Sequence, residues 1–187
     1  MNKEKKYLIT TCDKNTWMKE GPVIFLGEWC KDYNLKSIWE KMDAIVASPY
    51  GVLKKERDRD YNKARKIENN LTQILAAELN NIHNENKSPR YWRVLFAPWL
   101  RRYIEVMINR IQTINQLLNN YEISGTTYFN DIKYSLACQD SRAAIYSYDD
   151  KLWNNILYKK IIHKLNKNIK SKIIKNESNG FVVNDEN

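Results

Sequence analysis

The sequence predicts an α/β fold in which a small parallel sheet is flanked by long helices. Three observations carry that prediction. Val23-Ile24-Phe25-Leu26 is an apolar run without polar alternation, closed by Gly27, as expected of a strand buried on both faces. From Arg57 to His83 the positions Tyr61, Ala64, Ile67, Leu71, Ile74, Leu75, Leu79 and Ile82 follow the 3.6-residue helical period. Short strand-like pieces alternate with helical ones, and helix dominates after residue 55.

In chain order, Lys6-Tyr7-Leu8-Ile9-Thr10-Thr11 is rich in β formers and opens the sheet with a strand over 7–11. Gly21-Pro22 is a turn signal, and the second strand follows at 23–26. Leu35, Ile38, Trp39 and Met42 are spaced i, i+3, i+4, i+7 and predict a helix over 35–42. Ala44–Ala47 is the third strand, ended by Ser48-Pro49-Tyr50-Gly51. The long helix over 57–83 breaks at Asn84–Lys87. Ser88 as N-cap and Pro89 at the first helical position start a second one over 90–120, kinked or broken near Pro98. Residues 121–140 are undecided, with Gly125-Thr126-Thr127 turn-like. Asp149 or Asp150 caps a last helix whose stripe is Trp153, Ile156, Leu157, Ile161, Leu165 and Ile169. Residues 177–187 are polar and read as a frayed tail.

Composition narrows the function classes. Of 187 residues, 43% are hydrophobic and 28% charged, a globular balance that excludes a disordered chain and fits one domain. No apolar run reaches the roughly 18–20 residues of a membrane span. Cys12, Cys30 and Cys138 are far apart and read as free thiols of a cytoplasmic protein. With 2 His and no CxxC, a Cys/His zinc site is excluded, and neither metal nor cofactor is expected. The net charge of +9 comes mostly from seven lysines between Lys159 and Lys175, in a stretch without one acid. A solvated helix face is the plainest account of them. Contact with an anionic membrane surface or with nucleic acid is the sharper one. Nucleic acid is disfavoured, because apolar residues interrupt the basic positions of 90–102.

Two clusters could carry chemistry. Gly27-Glu28-Trp29-Cys30 leaves the most buried strand directly, where βα loops of open α/β sheets bind ligands. Glu28 is a candidate general base, and Trp29 offers a flat face for a sugar or base. The plainer account has Trp29 in the core and Glu28 capping a helix or paired with a lysine. Cys30 reads as a small buried residue. The second cluster is Ser88–Arg102. Arg90 and Arg93 share one face of a helix's first turn, where free N–H groups and the helix dipole attract anions. They could equally pair with an acid of the preceding helix. Trp92 and Trp99, seven apart, read as a packed stripe, with a stacking role for Trp99 as the sharper reading. His83, five residues before Ser88, is either a dipole-stabilised cation or a catalytic base. Setting the βα loop opposite a helix N-terminus predicts that Glu28, His83, Arg90 and Arg93 face one cleft. Asp58-Arg59-Asp60 is a weak acidic pair. No Walker loop, GxGxxG, GxSxG or HExxH occurs.

Several of these segments together resemble a known group. Leu8-Ile9-Thr10-Thr11, Trp17 and Pro22–Cys30 are similar to the opening of a family of transferases from bacterial O-antigen and surface-polysaccharide gene clusters. The resemblance continues through Trp39, Asp43-Ala44, Pro49-Tyr50, Asp60-Tyr61, Leu79-Asn80, His83, Arg90-Tyr91-Trp92-Arg93 and Pro98-Trp99-Leu100, and extends to Trp153-Asn154, Tyr158 and Ile161-Ile162. One departure is Ala97, where the family pattern has glycine. The resemblance implies a glycosyltransferase-like activity and the Rossmann-like N-terminal lobe of a two-lobed, GT-B-like enzyme. Residues 1–162 would be that acceptor-side domain, and 163–187 a Lys-rich helical extension and tail.

Family members are several times longer, so the chain is expected to be an N-terminal piece, inactive alone. Its nucleotide-sugar donor would be held by a missing C-terminal lobe, and its acceptor would be a glycan or lipid-linked. Glu28 and His83 would then be catalytic. Trp29, Arg90, Arg93 and Trp99 would bind substrate. The missing lobe would dock on an exposed apolar face at Trp153, Ile156 and Leu157. The protein would be cytoplasmic, with Lys159–Lys175 free to touch the inner membrane surface. The competing readings are a non-enzymatic basic nucleic-acid-binding protein and a helical interaction module.

Overall fold

The computed structural model describes residues 4–131, 136–165 and 168–175. It is α/β, with five parallel strands and five α-helices among the described residues. The strands are β1 (Lys6–Ile9), β2 (Val23–Phe25), β3 (Ala44–Val46), β4 (Ile123–Phe129) and β5 (Ser171–Ile174). The helices are α1 (Lys36–Trp39), α2 (Lys54–His83), α3 (Pro89–Asn120), α4 (Ser141–Ser147) and α5 (Lys151–Lys164). The chain forms two compact units, Tyr50–Arg110 and the remainder, Met1–Pro49 with Ile111–Asn187.

The sheet unit has strand order β3-β2-β1-β4-β5, every pair parallel. This is the order of a doubly wound, Rossmann-like sheet. No hairpin crosses Gly21-Pro22, since Tyr7 pairs with Val23 and Ile9 with Phe25 in parallel register. The unbroken apolar run explains the centre: Val23, Ile24, Phe25 and Leu26 are each at most 1% exposed. Gly21 has φ +91°, a left-handed value that suits glycine in the turn before β2.

α5 differs from its expected role. Trp153, Ile156 and Leu157 do not form an exposed docking face; they are at most 5% exposed. Asn154, Asn155, Tyr158, Ile161 and Ile162 are buried with them, so α5 is enclosed on more than one stripe, and it packs on β4. The helix also stops earlier than its apolar spacing suggests. It is capped at Leu165, and the lysine-bearing residues 171–174 become edge strand β5. Lysines on an edge strand discourage pairing with further strands. Asp150 accepts a hydrogen bond from the Trp153 amide at 2.7 Å, the N-cap that the sequence suggests. The tail 177–187 lies outside the described residues.

In the helical unit the break at 84–88 is well specified. Asn84 adopts φ +51° at the α2 C-terminus. Asn80 Oδ1 accepts from the Lys87 amide and the Trp92 indole, while its Nδ2 donates to the Lys87 carbonyl. α3 continues through Pro98 without a break. The buried face of α2 is Ala64, Glu68, Thr72 and Ala76, a strict i, i+4 row. Tyr61, Ile74 and Ile82 of the expected stripe are instead more than half exposed. Ala64 packs with Leu100, Ile104 and Ile108 of α3.

Candidate functional site

The direction in which successive strands are laid down across the sheet reverses between β1 and β4. From β1 the chain steps outward to β2 and β3, and from β4 the other way to β5. In open α/β sheets ligands bind beyond the carboxyl ends of the strands near such a switch point. The carboxyl end of β1 is held by a dense local network. Trp17 Nε1 donates to the Thr11 carbonyl at 3.0 Å, and Asp13 caps a 3-10 turn by accepting from the Asn15 amide at 3.0 Å. Lys151, first residue of α5, pairs with Asp13 at 3.2 Å. Asn155 reaches from α5 across the two strands. Its Oδ1 accepts from the Phe129 amide at 2.8 Å, and its Nδ2 donates to Thr10 Oγ1 and to the Thr127 carbonyl.

Glu28 and Trp29 follow β2 on the same edge of the sheet, in a 3-10 turn capped by Gly27. Trp29 is not core: it is 51% exposed. Its six-membered ring lies so close to Gly27 that a Cβ there would sit 2.1–2.5 Å from three ring carbons. Glycine is needed here for this close approach, not for its backbone angles, which are extended. The result is a half-exposed aromatic surface on a fixed support. Glu28 is largely exposed and pairs with Lys31 at 2.7 Å, and the Lys31 ammonium lies 4.9 Å from the centre of the Trp39 ring. An exposed carboxylate of this kind can accept hydrogen bonds from sugar hydroxyls.

Cys30 is fully buried, and its thiol faces the Ile9 carbonyl at 3.5 Å. Burial pushes that thiol up to about 12, so it is a packing residue and not a nucleophile. Burial also raises Cys12.

The other sequence-predicted residues belong to the helical unit. His83 stacks on Trp92 with ring centroids 5.7 Å apart. Arg90 is exposed in the first turn of α3. Arg93 is committed to a protein partner, since its Nη2 donates to Glu68 Oε1 at 3.2 Å. Arg101 binds the same carboxylate through Nε and Nη2, both at 3.0 Å. Trp99 stacks on Tyr103 at 5.5 Å and packs against the α2–α3 core. The Asp58-Arg59-Asp60 acids are structural: Asp58 pairs with Lys54, and Asp60 accepts from the Tyr50 hydroxyl. Among the described residues no three His, Cys, Asp or Glu side chains cluster to hold a metal ion.

Residues 6–186 match the model of the LIC12162 family of transferases. The chain belongs to that family. No curated protein and no solved structure matches it. Membership in the LIC12162 transferases makes group transfer the frame for the site, and the match takes in both units. Among the described residues no helix is long and apolar enough to cross a membrane.

Two features of the sheet unit were not legible as motifs in the sequence. Asn155, the bridge between β1 and β4, sits in an Asn-Asn pair inside an apolar stripe, and that was its one legible signal. The second is a groove of about 1220 Å³ on the sheet unit, lined from five separate stretches of chain. Its lysines are scattered through the sequence and form no motif.

Proposed function

We propose that this LIC12162 transferase moves a sugar in the assembly of a bacterial surface polysaccharide or O-antigen, and that the sheet unit presents the acceptor. The observation that carries the reading is the half-exposed Trp29 indole braced on Gly27 at the carboxyl end of β2, with Glu28 the preceding residue of the same turn. In this reading the donor is a nucleotide-sugar. The acceptor is a hydroxyl of a glycan or of a lipid-linked saccharide, and transfer takes place at the inner membrane surface. Trp29 stacks on the acceptor ring. Glu28 takes the proton from the attacking hydroxyl as that oxygen bonds to the donor's anomeric carbon and the nucleoside diphosphate leaves. His83 as a base and Arg90, Arg93 and Trp99 as substrate-binding groups belong to the helical unit, and this reading of the sheet unit does not rest on them.

The test is saccharide binding followed by NMR on protein carrying labelled tryptophan indoles. Acceptor-type mono- and disaccharides are expected to shift the Trp29 indole signal. Trp29→Ala is expected to weaken binding roughly 5–20-fold, in line with about 1–2 kcal/mol for one aromatic stacking contact. Gly27→Ala is expected to weaken it similarly, because the new Cβ drives the ring off its support. Glu28→Gln is expected to leave saccharide binding within about twofold and, in any assembly where the wild type transfers from a nucleotide-sugar, to remove that turnover. If no saccharide moves the Trp29 signal, the acceptor reading is wrong.

A further inference from the structure

A second surface of the sheet unit has no role in that proposal. The connection from β1 to β2 is short, residues 10–22, with a single 3-10 turn where a parallel crossover ordinarily carries a full helix. Right-handed crossovers put this connection and the one from β2 to β3 on one face, and α4 and α5 on the other. The first face is therefore thinly covered, and the groove of about 1220 Å³ opens there. Tyr7 and Gly125, neighbours in register, lie in its floor. A side chain at Gly125 would meet the Tyr7 ring at 3.1 Å and the Lys170 carbonyl at 3.2 Å, so glycine keeps the floor clear.

The lining is chemically one-sided. Lys14, Lys19, Lys41, Lys170 and Lys172 surround the groove, and none of its lining residues is acidic. None of these five lysines forms an ion pair among the described residues, and all five are exposed. Between them the wall is soft and apolar: Trp17, Met18, Ile38 and Met42, with Ile38 45% exposed. The volume exceeds the roughly 300–1,000 Å³ of sites for compact small molecules. Unpaired ammonium groups at the rim attract a dianion, whereas adaptable methionine and isoleucine side chains suit a flexible aliphatic chain better than a flat base.

We infer that this groove binds a phosphate-headed amphiphile, with the phosphate among the lysines and the apolar chain along Trp17, Met18, Ile38 and Met42. The inference is independent of the acceptor reading: it uses none of Glu28, Trp29, His83 or Arg90, so either can fail alone.

The experiment is titration calorimetry of the full chain with decyl phosphate below its micelle concentration, at low and moderate salt. Inorganic phosphate, decanol and uridine diphosphate are the comparison arms. Decyl phosphate is expected to bind at least tenfold more tightly than each of the three, and more weakly as salt rises. The triple variant Lys14→Glu/Lys41→Glu/Lys172→Glu is expected to lose at least tenfold in affinity. Lys55→Glu/Lys63→Glu/Lys66→Glu, which makes the same charge change on exposed positions of α2, is expected to lose less than threefold. Ile38→Ser is expected to narrow the advantage over inorganic phosphate. Equal binding of inorganic phosphate would show that the apolar wall does nothing, and equal binding of uridine diphosphate would assign the groove to nucleotides. Equal losses in the two triple variants would reduce the effect to net charge. Each of these results overturns the inference.

Discussion

Replacing Arg93 and Arg101 together by alanine is expected to cost about 2–4 kcal/mol of stability, read from urea unfolding followed by helical circular dichroism. Glu68 lies in the buried i, i+4 row of α2, and its side chain is 1% exposed. Three hydrogen bonds from the two arginines satisfy its carboxylate. Without them a bare carboxylate stays inside the helix pair. It must then either protonate or draw in water. The figure lies below that of a fully enclosed ion pair because the arginine side chains are 38% and 43% exposed and already share their charge with water. For the same reason Glu68→Gln is expected to cost only about 1–2 kcal/mol, since the guanidinium groups can turn outward. Glu68→Met in the double-alanine background is expected to recover most of the loss. If the double variant loses less than about 0.5 kcal/mol, the carboxylate is better hydrated than its geometry indicates.

The same cluster sets a pH dependence. The hydrogen bonds from Arg101 and the nearby charges of Arg101 and Arg93 hold the Glu68 carboxyl below its ordinary range, against the opposing effect of burial. A carboxyl lowered by folding binds its proton more weakly in the native state. Its contribution to stability is fully present above the unfolded value of about 4.3 and is lost as pH falls through the lower native value. The advantage of the wild type over Glu68→Gln is therefore expected at pH 7 and should vanish in that acidic window. An advantage that instead grows on acidification would contradict the assignment.

The strands that could be read from the sequence are those whose burial is written locally. β2 is one unbroken apolar run, and β1 and β3 are short runs of β formers. β4 was not legible, because Gly125-Thr126-Thr127 has the composition of a turn. It is a strand because Tyr7 and Lys170 flank Gly125 and both neighbouring strands pair with it, which is long-range information. β5 was hidden for the opposite reason: Ser171-Lys172-Ile173-Ile174 continues a lysine-rich helical pattern, and only the edge of the sheet makes it a strand. In the site, Gly27-Glu28-Trp29 could be placed because a βα loop must follow β2. The partner of Arg93 could not, since Glu78 and Glu85 were nearer in sequence than Glu68. The clue was a row of small residues: Ala64, Thr72 and Ala76 frame position 68 at four-residue spacing, so a glutamate there faces inward.

Asn155→Ala is expected to be the most damaging single change in the sheet unit, at about 3–5 kcal/mol. The side chain is fully buried and replaces a strand contact that the backbone cannot make for itself. It accepts from Phe129 in β4 while donating to Thr10 beyond β1, so the carboxyl ends of the two central strands share one polar bridge. Removal leaves the Phe129 N–H and the Thr127 carbonyl without this partner in a dry interior, and opens a void between α5 and the sheet. Asn155→Leu separates the two contributions, because it refills most of the volume and restores no hydrogen bond. It is expected to remain within about 1 kcal/mol of the alanine variant, since unpaired buried amides cost more than the packing regained. Hydrogen exchange at the Phe129 amide gives a local reading, with protection expected to fall roughly 100-fold in both variants. If Asn155→Leu is as stable as the wild type, the backbone ladder and packing hold β1 against β4 without this bridge. The loop from Thr10 to Asp13 would then owe its position to Trp17 and Lys151, and the carboxyl edge of the sheet would tolerate substitution at 155.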